Sequence, residues 1–271
     1  MTLVSTEWLN ENLSKVKIID ASWHLKKNRN AIEEYNQEHI ENAIFFDLDK
    51  NSNQAKNLPH GHFLPSIMDH EKNISEMGIL NTDRIIIYCY SDLISSCRAW
   101  FQFLYFGHNP ELVSVLNGGM KKWKLECRKI TNLKTKIIPS KYKAHENKKM
   151  IKIKSQIDNN IKSKEFTVVD ARSKNRFLGL EAEPRPGIKS GSIKESKSLP
   201  LKEIVNLKDN TFLDVKKLRD LFNSSKITSN EIVMSCGSSV SAASLALAYS
   251  LINDDYIPKI YIGSWTEFGK K

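Results

Sequence analysis

The chain echoes itself at an offset of roughly 150 residues, and this self-similarity constrains its fold more than any other feature. Asp20-Ala21-Ser22 is answered by Asp170-Ala171-Arg172, each closing an apolar run. Ile85-Ile86-Ile87-Tyr88-Cys89 is answered by Ile232-Val233-Met234-Ser235-Cys236. Leu116-Asn117-Gly118-Gly119-Met120-Lys121-Lys122-Trp123 is answered by Tyr261-Ile262-Gly263-Ser264-Trp265-Thr266-Glu267-Phe268. Two copies of one fold follow, and 271 residues suit two domains of about 100–150 residues each. The boundaries expected are 1–130 for the first copy, 131–150 for a linker and 151–271 for the second. The linker is Lys-rich, carries Pro139 and lacks helical periodicity.

Within each copy, short β-branched runs alternate with helical patterns. Lys17-Ile18-Ile19-Asp20, Arg84-Ile85-Ile86-Ile87-Tyr88 and Leu112-Val113-Ser114-Val115-Leu116 read as strands, and Ser96-Cys97-Arg98-Ala99-Trp100-Phe101-Gln102-Phe103-Leu104 as a helix. Such alternation predicts an α/β fold, each copy a mostly parallel sheet flanked by helices. In sheets of this kind the ligand crevice lies at the carboxyl ends of the strands.

Cys236 stands at such an end. The strand Ile232-Val233-Met234-Ser235 breaks there into Gly237-Ser238-Ser239-Val240-Ser241, which opens into an Ala-rich helix. Small residues let backbone N–H groups converge on the sulfur, and the helix N-terminus adds the positive end of its dipole. Both effects favour the thiolate, the nucleophilic form of cysteine. A buried structural cysteine is the commoner role of a free thiol, but Gly and Ser neighbours supply donors and room instead of packing.

The loop Cys236-Gly237-Ser238-Ser239-Val240-Ser241 resembles the Cys-Gly-Ser-Gly-Val-Thr loop of 3-mercaptopyruvate sulfurtransferases, two-domain members of the rhodanese superfamily. The resemblance runs through Leu9-Asn10-Glu11-Asn12-Leu13, Ile18-Ile19-Asp20-Ala21-Ser22-Trp23, His39-Ile40-Glu41-Asn42-Ala43-Ile44-Phe45-Phe46-Asp47-Leu48-Asp49 and His62-Phe63-Leu64-Pro65. It continues in Val169-Asp170-Ala171-Arg172, Asn175-Arg176-Phe177, Glu183-Pro184-Arg185-Pro186-Gly187 and the closing Tyr261 to Phe268. It implies two tandem rhodanese-like domains, the second catalytic and the first inactive.

The chemistry so implied is sulfur transfer. Cys236 attacks the sulfur of 3-mercaptopyruvate, releases pyruvate and keeps a persulfide, whose outer sulfur passes to a thiol acceptor such as thioredoxin or a small thiol. Gly237, Ser239, Val240 and Ser241 would line the substrate and offer amides to the anionic persulfide. Arg176 and Arg185 match the family's substrate-binding arginines, suited to grip a carboxylate bidentately; taken alone, each reads rather as a surface ion-pair residue, and the resemblance is what favours the clamp. Ser238 matches a serine proposed to relay a proton, and Asp49 and His62 match an aspartate and a histidine that approach from the first domain. A loop-capping Asp49 and a packing His62 are equally compatible with the residues. Arg172 is expected to shape its loop through an ion pair. Cys89 sits in a loop whose Tyr90, Asp92 and Leu93 suit no cradle, and its thiol should titrate higher than that of Cys236.

Departures from the pattern are local. Ser239 replaces the loop's second glycine, Ser241 its threonine, Gly191-Ser192-Ile193-Lys194 stands where Gly-His-Ile-Pro is usual, and the chain stops soon after Phe268. A strained Ser239 and the missing histidine leave a persulfide carrier without turnover as the non-enzymatic alternative. A thiosulfate sulfurtransferase is the enzymatic one, although its usual loop, Cys-Arg-Lys-Gly-Val-Thr, grips a dianion with charges that Gly237 and Ser238 lack. A phosphatase would need arginine at position 242, which is alanine.

Composition narrows the remaining classes. The net charge is +10, but its lysines are scattered among Asn, Ile and Glu, so a solvated basic surface is expected and no nucleic-acid partner. No apolar stretch approaches the roughly 20 residues of a membrane span. The first residues lack the order of a signal peptide, and a cytoplasmic protein with free thiols is expected. Cys89, Cys97, Cys127 and Cys236 form no CxxC pair, so neither metal nor disulfide framework is anticipated. No nucleotide-binding fingerprint is present, and no cofactor is expected.

Overall fold

The computed structural model describes residues 2–25, 28–53, 62–227 and 231–270. Among these the chain divides into two units by mutual contacts, the first holding residues 2–53, 64–147 and 207–211, the second 62–63, 148–206 and 212–270.

The first unit runs β1 (Leu3–Val4), α1 (Thr6–Asn12), β2 (Lys17–Asp20), α2 (Ala31–Gln37), β3 (Ala43–Phe45), α3 (Ile67–Glu76), β4 (Ile85–Tyr88), α4 (Ser96–Tyr105), β5 (Val113–Leu116) and α5 (Gly119–Leu125). The second runs β6 (Ile151–Lys152), α6 (Lys154–Ser163), β7 (Thr167–Asp170), α7 (Lys174–Phe177), β8 (Lys197–Ser198), α8 (Val215–Ser224), β9 (Ile232–Ser235), α9 (Val240–Ser250), β10 (Ile260–Tyr261) and α10 (Ser264–Phe268). The sheets are ordered β1-β5-β4-β2-β3 and β6-β10-β9-β7-β8, so the two copies share one topology. Every pairing between these strands is parallel.

The duplication extends to single hydrogen bonds. Ala21 N–H donates to Tyr88 O at 2.8 Å, as Ala171 N–H does to Ser235 O at 2.9 Å. Met120 N–H reaches Cys89 O at 3.1 Å, and Trp265 N–H reaches Cys236 O at 2.9 Å. Cys89 and Cys236 are therefore equivalent strand ends.

Strands covered on both faces need continuous apolar runs, and β4 and β9 are buried along their whole length. Ile18, Ile86, Tyr88, Leu116 and Trp123 centre one core, and Ile157, Val168, Val233, Tyr261 and Trp265 the other. Each fully buried Ile contributes roughly 1.5–3 kcal/mol relative to exposure. Helix α9 is buried from Val240 to Ala248, which explains a sequence apolar on every side.

Residues 131–147, expected to be linker, form extended chain held on the first unit. Thr135 Oγ1 donates to Ala43 O at 2.7 Å, Ser140 N–H to Ser75 O at 2.9 Å and Ala144 N–H to Glu71 Oε1 at 2.9 Å. A segment tied by hydrogen bonds to another part of the chain needs no periodicity of its own, which is why its sequence reads as linker.

Candidate active site

The site is built on the end of β9. Cys236 follows Ser235 directly, is 2 % exposed, and begins a tight loop that ends at Ser239, the N-cap of α9. Ser239 takes φ 64°, a left-handed conformation suited to the glycine that the family pattern puts there. Its amide and that of Cys236 do not face the sulfur. They donate to the Ser264 hydroxyl at 3.1 and 3.3 Å, and that hydroxyl donates to Tyr261 O at 2.9 Å. Ser264 thus spends its one donor and both acceptor positions on fixing the loop. Of the amides anticipated for a cradle from the sequence, that of Ser239 is thus engaged by Ser264.

Sequence reasoning passed over Ser264. The available signal was its register with Gly119. In the first copy a glycine holds this position at φ 53°, where a Cβ would stand 2.5 Å from Cys89 O, whereas the second copy puts a serine there at φ 49°. A side chain tolerated where the other copy has glycine marks a hydroxyl in use.

Arg176 and Arg185 converge beside the nucleophile. A Cβ built on Gly237 would lie 3.2 Å from Arg176 Nη2, a tight contact, and 3.6 Å from Arg185 Nη1, an ordinary one, so both guanidinium groups lie against Gly237 and Arg176 is the one that a side chain there would crowd. Arg185 Nη2 donates to Ser238 Oγ at 3.1 Å, and His62 Nδ1 lies 3.2 Å from the same oxygen. Arginine can only donate, so the Ser238 proton is available to His62 Nδ1, which gives a chain from Arg185 through Ser238 to His62. Ser239 Oγ also donates to His62 O at 3.4 Å. His62, expected from the first domain, clusters with the second unit. Asp49 lies in the first unit, where its carboxylate accepts from Trp23 Nε1 at 3.1 and 3.2 Å.

Behind the arginines lies an ion-pair network that the sequence showed only in part. Arg172 meets Asp170 at 2.6 Å and Glu183 at 2.7 Å, donates to Gly191 O at 2.8 Å and rests 4.7 Å from the centre of the Trp265 ring. This is the ion pair expected of it, with a second carboxylate added. Glu183 also holds Arg176, at 2.6 Å through Nη2 and 3.2 Å through Nε.

Cys89 shares the backbone position but not the surroundings. Burial pushes its thiol up, and its Sγ donates to Ser96 Oγ at 3.3 Å. Among the described residues no His, Cys, Asp or Glu cluster is arranged to hold a metal ion, and no helix is long and apolar enough to cross a membrane.

Fold and site define a class, a rhodanese-type sulfurtransferase built from two copies of one α/β unit, and comparison with known proteins agrees. A model of the rhodanese-like domain matches residues 5–126. The human 3-mercaptopyruvate sulfurtransferase is 33% identical across 98% of this chain and 91% of its own length. The mouse thiosulfate sulfurtransferase is 32% identical across 99% and 92%. The solved structure of SseA from Escherichia coli, a 3-mercaptopyruvate sulfotransferase, superposes with a TM-score of 0.86 at 26% identity, covering 98% of this chain and 99% of its own. The chain belongs to the two-domain rhodanese family of sulfurtransferases.

Proposed function

We propose that this sulfurtransferase takes sulfur from 3-mercaptopyruvate through a persulfide on Cys236 and passes it to a thiol. The observation that carries the reading is the convergence of Arg176 and Arg185 over Gly237, next to a buried cysteine in a loop without charge of its own. Two guanidinium groups supply a seat for the donor's carboxylate. The Cys236 thiolate attacks the donor sulfur, the carbon–sulfur bond breaks, and its electron pair leaves on the pyruvate enolate. That enolate takes a proton, for which the Ser238–His62 pair is the source we propose, and pyruvate departs. An acceptor thiolate then attacks the outer sulfur and returns Cys236 as a thiolate. The amides of Gly237, Ser238, Val240 and Ser241 are the proposed stabilisers of the persulfide anion. Asp49 enters the proposal only as a residue to be tested, since its carboxylate is engaged by Trp23.

A thiosulfate donor is the second reading, because relatives named for thiosulfate are as similar as those named for mercaptopyruvate. The uncharged Gly237-Ser238 pair is what favours the keto acid. We further propose a cytoplasmic enzyme, although one relative, from Arabidopsis thaliana, is named as mitochondrial. Pyruvate release from 3-mercaptopyruvate with a thiol acceptor, run beside thiosulfate, tests the donor. Cys236→Ser is expected to lose turnover by several orders of magnitude while keeping its fold. Turnover retained in that variant removes Cys236 from the mechanism, and a wild-type preference for thiosulfate removes mercaptopyruvate.

A further inference from the structure

We propose that the first copy holds a second carboxylate site of the same design as the donor seat, centred on Arg29 and closed by the ring of Tyr90. The inference rests on the reading of Arg176 as a seat for the donor's carboxylate.

The two arginines are held alike. Glu34, in the first turn of α2, accepts from Arg29 Nε through Oε1 and from Arg29 Nη2 through Oε2, each at 2.7 Å. Glu183 accepts from Arg176 by the same pairing of atoms, Nε to Oε1 and Nη2 to Oε2. Each carboxylate also meets a nitrogen group from just beyond β2 or β7. His24 Nε2 lies 3.0 Å from Glu34 Oε2, and Arg172 Nη1 lies 2.7 Å from Glu183 Oε1. Each Nη2 reaches the residue that follows the strand-end cysteine. Arg29 Nη2 donates to Tyr90 O at 3.0 Å, and Arg176 Nη2 lies 3.2 Å from where a Cβ of Gly237 would stand. A guanidinium has two forked edges, and both glutamates take the Nε–Nη2 edge, which leaves the other edge of each arginine for a ligand.

The difference lies in one side chain. Cys89 and Cys236 are equivalent strand ends, so Tyr90 stands where the second copy has Gly237. The Tyr90 ring centre lies 4.8 Å from the Arg29 guanidinium carbon, a cation–π contact, and 5.3 Å from Lys124 Nζ. Gly237 has no side chain to lay on Arg176, whereas Tyr90 covers Arg29. The ring is half-buried, so its removal costs the first copy little packing. An opened site with one arginine in place of two, and with the charge of Asp92 reaching it, should bind a carboxylate about tenfold more weakly than the second copy does.

The test counts labelled pyruvate bound in equilibrium dialysis, taken to about a hundredfold above the concentration that half-fills the first site. Wild type and Tyr90→Phe should bind one molecule, Tyr90→Gly two, and Tyr90→Gly/Arg29→Ala one again. Turnover of 3-mercaptopyruvate should be unchanged in Tyr90→Gly, which also reports that the variant is folded. A single molecule in Tyr90→Gly, or a second that survives Arg29→Ala, overturns the proposal, and two molecules on wild type overturn the closure by Tyr90. Should Tyr90→Gly not fold, Tyr90→Ala removes the ring without loosening the backbone and is read in the same way. Wild type that binds no pyruvate, or whose one molecule survives Arg176→Ala, fails the parent reading and the proposal with it. One molecule on wild type with none added by removing the ring fails the proposal alone, so the two failures are distinguishable.

Discussion

Ser239 and Ser264 both occupy backbone conformations that glycine prefers, at φ 64° and 49°, and their hydroxyls repay the strain unequally. Ser264 accepts two buried amides and donates once, and an unmade bond to a buried amide would cost about 1–3 kcal/mol. Ser239 makes one long bond of 3.4 Å to His62 O. Its Cβ should therefore be a net liability. Ser239→Gly is expected to stabilise the second copy by about 1 kcal/mol, read as a higher urea midpoint followed through Trp265 fluorescence. A lower midpoint would mean that the His62 tie outweighs the strain. Legibility in the sequence follows the same line. Cys236 stood out by its place between a strand end and a small-residue loop, and Ser238, Arg176 and Arg185 through the family resemblance, and the structure brings all four together. Ser264 and Glu183 act through a second residue, and a serine that fixes a loop has the same letter as one facing solvent.

At the scale of elements, the two copies treat one position differently. Asp20 ends β2 and Asp170 ends β7, and each carboxylate accepts the amide two residues on at 2.9 Å. Arg172 neutralises Asp170, whereas in the first copy the hydroxyls of Ser22 and Tyr88 hold Asp20. Burial pushes the Asp20 carboxyl from 3.8 up to about 6, despite the opposing bonds from Ser22 and Tyr88 and the charge of His39. Its folded value lies above its unfolded one, so the native state binds the proton more tightly. The stability this confers is present below about pH 4 and lost as pH rises toward 6, a difference of about 3 kcal/mol. Asp20→Asn keeps the acceptor oxygen and removes the titration. The free energy of unfolding of the first copy should then differ between pH 4 and pH 7 by about 3 kcal/mol less than in wild type as regards this group, and an unaltered difference would show Asp20 to be ionised throughout. The longer elements were legible because buried parallel strands are apolar runs, and β2, β4 and β9 fall within a residue of their expected bounds. Two-residue strands such as β1, β6, β8 and β10 were not, being too short for any periodicity to register.

For the whole molecule, duplication provides two cores with different responses to acid. The first copy buries His70 completely, stacked 3.9 Å from Phe106, and among the described residues its Nε2 has no hydrogen-bond partner. Burial pulls this imidazole from 6.5 down to about 3, with the charges of His108 and Arg98 acting in the same direction. A depressed base favours the unfolded state in acid, so the stability it confers is complete above pH 6.5 and drains away as pH falls toward 3. Asp20 works in the opposite sense between pH 6 and 4, and the two shifts are of similar size over that interval, about 3 kcal/mol each. They should nearly cancel. Below pH 4 the Asp20 gain is complete while the His70 loss continues, so acid unfolding of the first copy should start there. Tryptophans separate the copies, because Trp8, Trp23, Trp100 and Trp123 belong to the first and Trp265 to the second. In a Trp265→Phe background, urea unfolding followed by fluorescence should give a midpoint that holds from pH 6 to about pH 4 and then drops. In Asp20→Asn on the same background, the cancelling group is gone and the midpoint should fall steadily from pH 6. A wild-type midpoint that already declines at pH 6 would show that the buried histidine dominates and that the carboxylate at the end of β2 does not offset it.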